Sequence, residues 1–327
     1  MTIFKMICAS TVLALSMMST AKAASGDLVL YTSQPSKDAQ QTVDAFMKKH
    51  PKIKVAWIRQ GTTKMMAKVR AEIAAGGLKA DLLLIADMVT MEGLKQEGRL
   101  LAHKGAKLDR YDPALYDKDR TYFSTKLITT GIIYNTKGKM KPTSWADLQK
   151  PEAKGQIAMP SPLTSGAATI HMQAIKNSPS LGWNYYKGLA KQGASAAGGN
   201  GRTLKRVASG EKLYGMIVDF LAIRAKAKGS PVEFVFPKEG VSMVTEPVAI
   251  IKSTKNPEAA KAFVDFLLSR EGQEFARKQG YLPAHSDVPG PAGFPDRKTI
   301  KLMTFDPAKA LGDIRSSRKA FATLFAK

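Results

Sequence analysis

The chain has 327 residues, 44% of them hydrophobic and 24% charged, proportions that exclude a disordered tail, a collagen-like repeat and a polytopic membrane protein. That length exceeds what one hydrophobic core supports, so two domains or two lobes are expected. Fifty Lys plus Arg against 27 Asp plus Glu leave a formal net charge of +23, which makes a nucleic-acid or membrane-surface binder the first class to test.

Residues 1–23 carry Lys5, an apolar stretch over 6–18, and then Ser19-Thr20-Ala21-Lys22-Ala23. This is the pattern of a secretory signal peptide cleaved after Ala23, and its apolar run is short of the roughly 20 residues that span a bilayer. The one cysteine, Cys8, falls inside this segment behind the large Ile7, too early for a lipoprotein cleavage site. A mature chain of 24–327 then holds no disulfide, thiol nucleophile or thiolate metal site. Losing Lys5 and Lys22 takes the charge from +23 to +21, and export separates the protein from genomic DNA.

Beyond residue 24, short apolar strands alternate with amphipathic helices, the pattern of α/β layers around mainly parallel sheets. Strands are expected over 28–32, 55–59 and 82–85, with helices over 37–49 and from Gly61-Thr62-Thr63 to about 75. Each strand ends in a polar loop that opens a helix, and in open α/β sheets ligands bind outside such strand ends. An extended segment over 127–134 leads to a strand over 156–159. That strand ends in Pro160-Ser161-Pro162-Leu163-Thr164-Ser165-Gly166-Ala167, opening a helix over about 167–176. A strand over 213–218 ends at Asp219 before a helix with Arg224, Lys226 and Lys228. Residues 232–236 and 241–251 are extended, the latter as a second crossing between lobes, and a single long helix is expected over 257–279. The most loop-like interior stretch, 194–201, is expected to be a site loop or turn.

Seven segments in order resemble the periplasmic solute-binding proteins of ABC importers, in the type II, two-lobed class. They are L-V-L-Y-T-S-Q at 28–34, A-D-L-L-L-I-A-D at 80–87, T-S-W-A-D-L at 143–148 and K-G-Q-I-A-M-P-S-P at 154–162. S-G-A-A at 165–168, V-A-S-G-E at 207–211 and N-P-E-A-A-K-A-F-V-D-F-L-L-S-R-E-G-Q at 256–273 complete the set. Within the class the chain is most similar to the branch that holds ferric-iron-binding and 2-aminoethylphosphonate-binding proteins. The resemblance implies an α/β fold of two lobes joined by hinge strands, with a ligand cleft at the strand carboxyl ends. Lobe 1 is expected over 24–128, lobe 2 over 129–246, and a return to lobe 1 with C-terminal helices over 247–327.

Ferric-iron members carry two adjacent tyrosines after the lobe 2 strand, because Fe(III) favours phenolate oxygens. Here that place falls on Phe220-Leu221 or Asp219-Phe220, so iron binding becomes the runner-up. Ser165-Gly166-Ala167 matches the segment that holds a companion phosphate in iron-binding relatives, and free amides at a helix start favour an anion there. The plainer alternative is that Ser165 only caps its helix. Thr32-Ser33-Gln34, Thr62-Thr63 and Ser161 are similar loop positions. The amine of an aminophosphonate needs a carboxylate: Asp219 is the first candidate, with Asp87 and Glu246 next, although Asp219 and Asp87 also suit helix caps. Asn200 is read either as a ligand contact or as a left-handed turn residue, with the turn favoured.

The four histidines are scattered without metal-ligand spacing, and no P-loop, G-x-G-x-x-G or G-x-S-x-G occurs. Arg202, Lys205 and Arg206 read as a solvated helix face, since no aromatics interleave with them. The expectation is therefore an exported, monomeric, non-enzymatic binding protein without cofactor or metal and without a nucleic-acid partner. It would capture a small anionic solute, 2-aminoethylphosphonate or another organophosphonate first and a phosphorylated metabolite next, and deliver it to a permease with its ATPase. None of the residues assigned to the cleft is Lys or Arg, so the charge is read as a long-range field.

Overall fold

The structure is a computed structural model that describes residues 24–326; the expected signal peptide lies outside the described residues. Its first lobe opens with β1 (Gly26–Thr32), α1 (Ser36–Lys49), β2 (Ile53–Arg59), α2 (Thr62–Ala74), β3 (Leu82–Leu84), α3 (Met88–Gln96) and the short β4 (Leu100–Leu101). β1 pairs in parallel with β2 and β3. At β3 both faces of this sheet are covered and the strand reads as a continuous apolar run, whereas the edge strand β2 alternates buried and exposed residues in its first half. Leu28 and Leu30 on β1 and Leu82 and Leu84 on β3 join Phe46, Ile53, Phe263 and Val264 in one buried cluster. The alternate residues Tyr31, Leu83 and Ile85 face Met65, Val69, Met91 and Leu94 on the other side.

β5 (Tyr122–Asn135) then crosses to the second lobe. There follow β6 (Ile157–Met159), α4 (Gly166–Asn177), α5 (Gly182–Lys191), β7 (Ser195–Ala196), α6 (Asn200–Ala208), β8 (Tyr214–Val218), α7 (Asp219–Ala227) and β9 (Val232–Val235). Trp145, Ile157, Met159, Tyr185, Tyr186, Tyr214 and Met216 form its core. β10 (Ser242–Ile251) returns to lobe 1, followed by α8 (Pro257–Leu268), α9 (Arg270–Lys278), β11 (Leu282–Pro283) and α10 (Pro307–Phe325).

The two crossing strands pair with each other along residues 122–130 and 242–249, antiparallel, with a bulge between Thr245 and Pro247. β10 also pairs with β3 and β4 of lobe 1, and the far end of β5 with β8 and β9 of lobe 2. The expected boundaries at 128/129 and 246/247 thus fall inside these two hinge strands. The sheet is mixed rather than mainly parallel, because both crossings run against their neighbours and, among the described strands, only β1–β2, β1–β3, β6–β7 and β6–β8 pair in parallel.

The single helix expected over 257–279 is two. Ser269 takes extended angles, φ −66° and ψ 155°, and its Oγ accepts the Gly272 N–H at 3.1 Å, ending α8 and capping α9. α10 lies across both lobes: Leu311 reaches the Gly93 turn of α3, whereas Asp313 accepts from Gln173 of α4 at 2.7 Å and Phe321 stacks edge-on against Tyr186 of α5.

Candidate functional site

A cavity of about 390 Å³ lies between the lobes at the strand ends, within the size range of small-ligand sites. Lobe 1 lines it with Ser33 after β1, Arg59 at the end of β2, Gly61 and Thr62 at the start of α2, and Ala86 after β3. Lobe 2 supplies Ser165, Gly166 and Ala167 at the start of α4, Gly199, Asn200, Gly201 and Arg202 at the start of α6, and Phe220 and Leu221 in the first turn of α7. Glu246 of the hinge bulge and Tyr281 close the wall.

Three helices, α2, α4 and α6, bring their first amides to one cavity, and the first turn of α7 lies beside them. α2 and α6 start from Gly61 and Gly199 with no side-chain cap, so their first amides and dipole ends stay available. At α4, Ser165 Oγ accepts the Ala168 N–H at 3.3 Å, and the amides of Gly166 and Ala167 precede it at the cavity. Arg59 Nε donates to the Gln34 backbone oxygen at 3.0 Å, which fixes that guanidinium at the rim. Helix starts and two arginines all favour negative charge.

Of the fourteen residues read from the sequence as ligand contacts, Ser33, Thr62, Ser165, Gly166, Ala167, Asn200, Phe220 and Glu246 line the cavity. Six lie behind its wall. Thr32 is buried, its hydroxyl donating to Leu84 O at 2.8 Å; Gln34 is buried and Thr63 half-buried, and the Gln34 amide and the Thr63 hydroxyl lack partners among the described residues. Ser161 Oγ accepts the Leu163 N–H at 3.2 Å. Asp87 caps α3, taking the Thr90 N–H at 3.2 Å and its hydroxyl at 2.6 Å.

Asp219 faces the hinge, not the solute. Oδ2 accepts the Thr129 N–H and hydroxyl, both at 2.8 Å, and Oδ1 accepts the Phe220 N–H at 2.6 Å. Burial pushes its pKa up to about 7 against the pull of those bonds and of Arg224. Asn200 is also no turn residue: Gly198 carries the positive φ of 66°, and Asn200 opens α6. Its amide donates to Ser165 Oγ at 3.2 Å and its oxygen accepts the Val218 N–H at 3.1 Å, tying α4, α6 and β8 together.

Among the lining residues that sequence reasoning missed, Arg59, Arg202 and Tyr281 carry the charged and aromatic side chains that matter most to the site. Arg59 had a signal, since it ends a strand, whereas nothing local marks Tyr281. Arg202 is exposed, in keeping with a solvated helix face, yet it lines the cavity with Arg59, so the expectation of a cleft free of Lys and Arg is corrected. Glu246 is the one carboxylate on the lining among the described residues, and its Oε2 is already held by Lys126 Nζ at 2.8 Å.

The lobes touch on both sides of this cavity. On one, Gly166 of α4 lies so near Ala86 O and Thr62 that an added Cβ would fall 2.3 and 2.9 Å from them. On the other, Arg224 Nη1 of α7 pairs with Asp38 Oδ2 of α1 at 2.9 Å, and the Phe220 and Tyr281 rings meet at 4.4 Å. Asp38 also accepts the Tyr281 hydroxyl.

The family model described as bacterial extracellular solute-binding protein matches residues 28–282. The chain belongs to this family. An uncharacterized protein of Haemophilus influenzae is 28% identical over 304 residues, covering 86% of this chain and 85% of that one. The spermidine/putrescine-binding periplasmic protein of Escherichia coli is 31% identical over 152 residues, 42% of each chain. The structure of the periplasmic binding protein AfuA from Actinobacillus pleuropneumoniae, with exogenous fructose-6-phosphate bound, superposes with a TM-score of 0.83 at 25% identity, over 91% of this chain and 98% of that one. The fold is that of the two-lobed, type II periplasmic binding proteins, and the chain is a solute-binding component of an ABC transporter. Its family and structural neighbours are transport binding proteins.

Proposed function

We propose that this solute-binding protein captures a small phosphate monoester carrying hydroxyl groups, of the sugar-phosphate class, and delivers it to a membrane permease driven by its ATPase. The observation that carries the reading is the convergence of three helix starts with Arg59 and Arg202 on one cavity whose only carboxylate is already paired. Two guanidinium charges match a phosphate dianion, the amides of Gly166 and Ala167 suit its oxygens, and Ser33 and Thr62 offer hydroxyls to the remainder. The bound fructose-6-phosphate of AfuA supports the same class.

An organophosphonate shares the head group, and 2-aminoethylphosphonate was the first ligand suggested by the sequence. It ranks below the sugar phosphates here because Asp219 and Asp87 are committed behind the wall and Glu246 has its cation. A polyamine would face two arginines. Against iron, the place of the tyrosine pair falls on Phe220-Leu221 or Asp219-Phe220, neither with a phenol, and no group of three His, Cys, Asp or Glu suited to a metal occurs among the described residues. The protein acts as an exported monomer, in the periplasm after cleavage near Ala23, and closes as a population shift when both lobes touch the solute.

The test is a thermal-shift and calorimetric screen of fructose 6-phosphate, glycerol 3-phosphate, unphosphorylated fructose, ethylphosphonate, 2-aminoethylphosphonate, sulfate, putrescine and Fe(III). Phosphate monoesters should stabilise the protein and fructose should not. Stabilisation by putrescine or Fe(III) with none by phosphate monoesters overturns the reading.

A further inference from the structure

We propose that Lys126 is a specificity-determining residue that closes this site to amines, its own ammonium taking the place at Glu246 that a ligand's ammonium would take. The inference rests on the anionic-solute reading and adds how cationic relatives of the solute are turned away.

The pair is built into the hinge. Lys126 lies on β5 and Glu246 on β10, at the bulge between Thr245 and Pro247. Thr125 Oγ1 donates to Glu246 O at 2.7 Å and holds the bulged backbone. Both charged side chains are 3% exposed, with Nζ 2.8 Å from Oε2. Lys126 Nζ also lies 4.1 Å from the centre of the Tyr281 ring, whose hydroxyl is held by Asp38. Glu246 and Tyr281 both line the cavity, whereas Lys126 stands behind them.

An ammonium ligand needs a carboxylate free to receive it, and Glu246 is the only one on the lining. With Lys126 in place, an entering ammonium meets a neutralised carboxylate, a buried like charge and the two arginines. A hydroxylated phosphate meets no such penalty. This is discrimination by repulsion, and a single buried side chain imposes it. Removing the lysine charge leaves Glu246 buried and unpaired, a costly state that an ammonium in the cavity would relieve.

The experiment compares wild type, Lys126→Met, Lys126→Gln and the double variant Lys126→Met/Glu246→Gln. Met keeps the length of the lysine stem, and Gln keeps a neutral donor toward Oε2 should Met fail to fold. Each is titrated with putrescine and with the matched pair 2-aminoethylphosphonate and ethylphosphonate. Wild type should not bind putrescine, and the amine should bring it no gain over ethylphosphonate. Lys126→Met should bind putrescine and move the ratio of the pair toward the amine by about tenfold or more, Lys126→Gln should move it in the same direction, and the double variant should lose the gain. Putrescine binding by wild type, or folded Met or Gln variants without any shift toward amines, overturns the proposal. If wild type binds neither phosphonates nor phosphate monoesters, the anion reading fails, while the putrescine titrations still decide the role of Lys126.

Discussion

Gly166 is where closure has least room. A Cβ there would sit 2.3 Å from the Ala86 carbonyl oxygen and 2.9 Å from Thr62 Cγ2 and Oγ1. Ala86 is held in place, its N–H donating to Ser33 Oγ at 2.9 Å, so the main chain of lobe 1 has little freedom to retreat. In Gly166→Ala the start of α4 must therefore withdraw by about 1 Å, judged from ordinary carbon–oxygen contact. Overpacking of this kind costs about 1–3 kcal/mol. The contact exists only between lobes, so the penalty falls on the closed form, and alanine at a helix start is no worse than glycine within the lobe itself. Solute affinity should then drop roughly 5- to 150-fold, with the unfolding midpoint of the unliganded protein nearly unchanged. Calorimetric titration with fructose 6-phosphate gives the affinity, and small-angle X-ray scattering of the liganded form should show a less compact particle. Gly61→Ala, whose Cβ would lie 3.0 Å from Thr164 O across the same seam, should show the same effect more weakly. Wild-type affinity and wild-type compaction in Gly166→Ala would refute an interlobe contact at this glycine.

Arg202→Gln removes one of the two cleft guanidinium groups, and losing a charged hydrogen bond of about 1.5–3 kcal/mol should weaken fructose 6-phosphate binding roughly 10- to 150-fold; unchanged affinity in a titration would place Arg202 outside the contact. Arg224→Met breaks the interlobe ion pair and leaves the buried Asp38 with the Tyr281 hydroxyl alone, so scattering from the protein at saturating fructose 6-phosphate should show a larger radius of gyration than wild type, and no change means the pair does not hold the lobes. Asp219 keeps its proton to about pH 7 in the fold, against about pH 4 in an unfolded chain. The folded state therefore binds more protons across that window, and stability should fall as pH rises through it and level off above. Urea unfolding at about pH 5 and about pH 8 should show the fall, smaller in Asp219→Asn, which cannot release a proton there; equal slopes in both proteins refute the assignment.

What was legible in the sequence was what is decided locally. The strands read out because apolar runs such as 82–85 are buried on both faces, and turn residues bound them. Ser33, Thr62 and Ser165 were found because a strand end that opens a helix is a local pattern. The break at Ser269 was missed because the apolar period of α8 passes into α9 without a visible lapse, and only the Ser269–Gly272 cap marks it.

The carboxylates show where such reading stops. Asp87 has its partner three residues away and its capping role was foreseen as the alternative, but Asp219 is held by Thr129, ninety positions earlier, and Glu246 by Lys126, 120 positions earlier. No spacing rule connects residues that only a hinge brings together. The net charge was misjudged for the same reason: α6 has a solvent side and a cleft side, and periodicity alone does not say which one Arg202 is on. With Arg59 and Arg202 on the lining, the excess positive charge is more than a distant field around an uncharged pocket. The field that concentrates anions near the surface and the groups that hold one in the cleft have the same sign, so a solute drawn in by the first is not rejected by the second. A polyamine is opposed by both, and at Glu246 it would also have to compete with a lysine that never leaves.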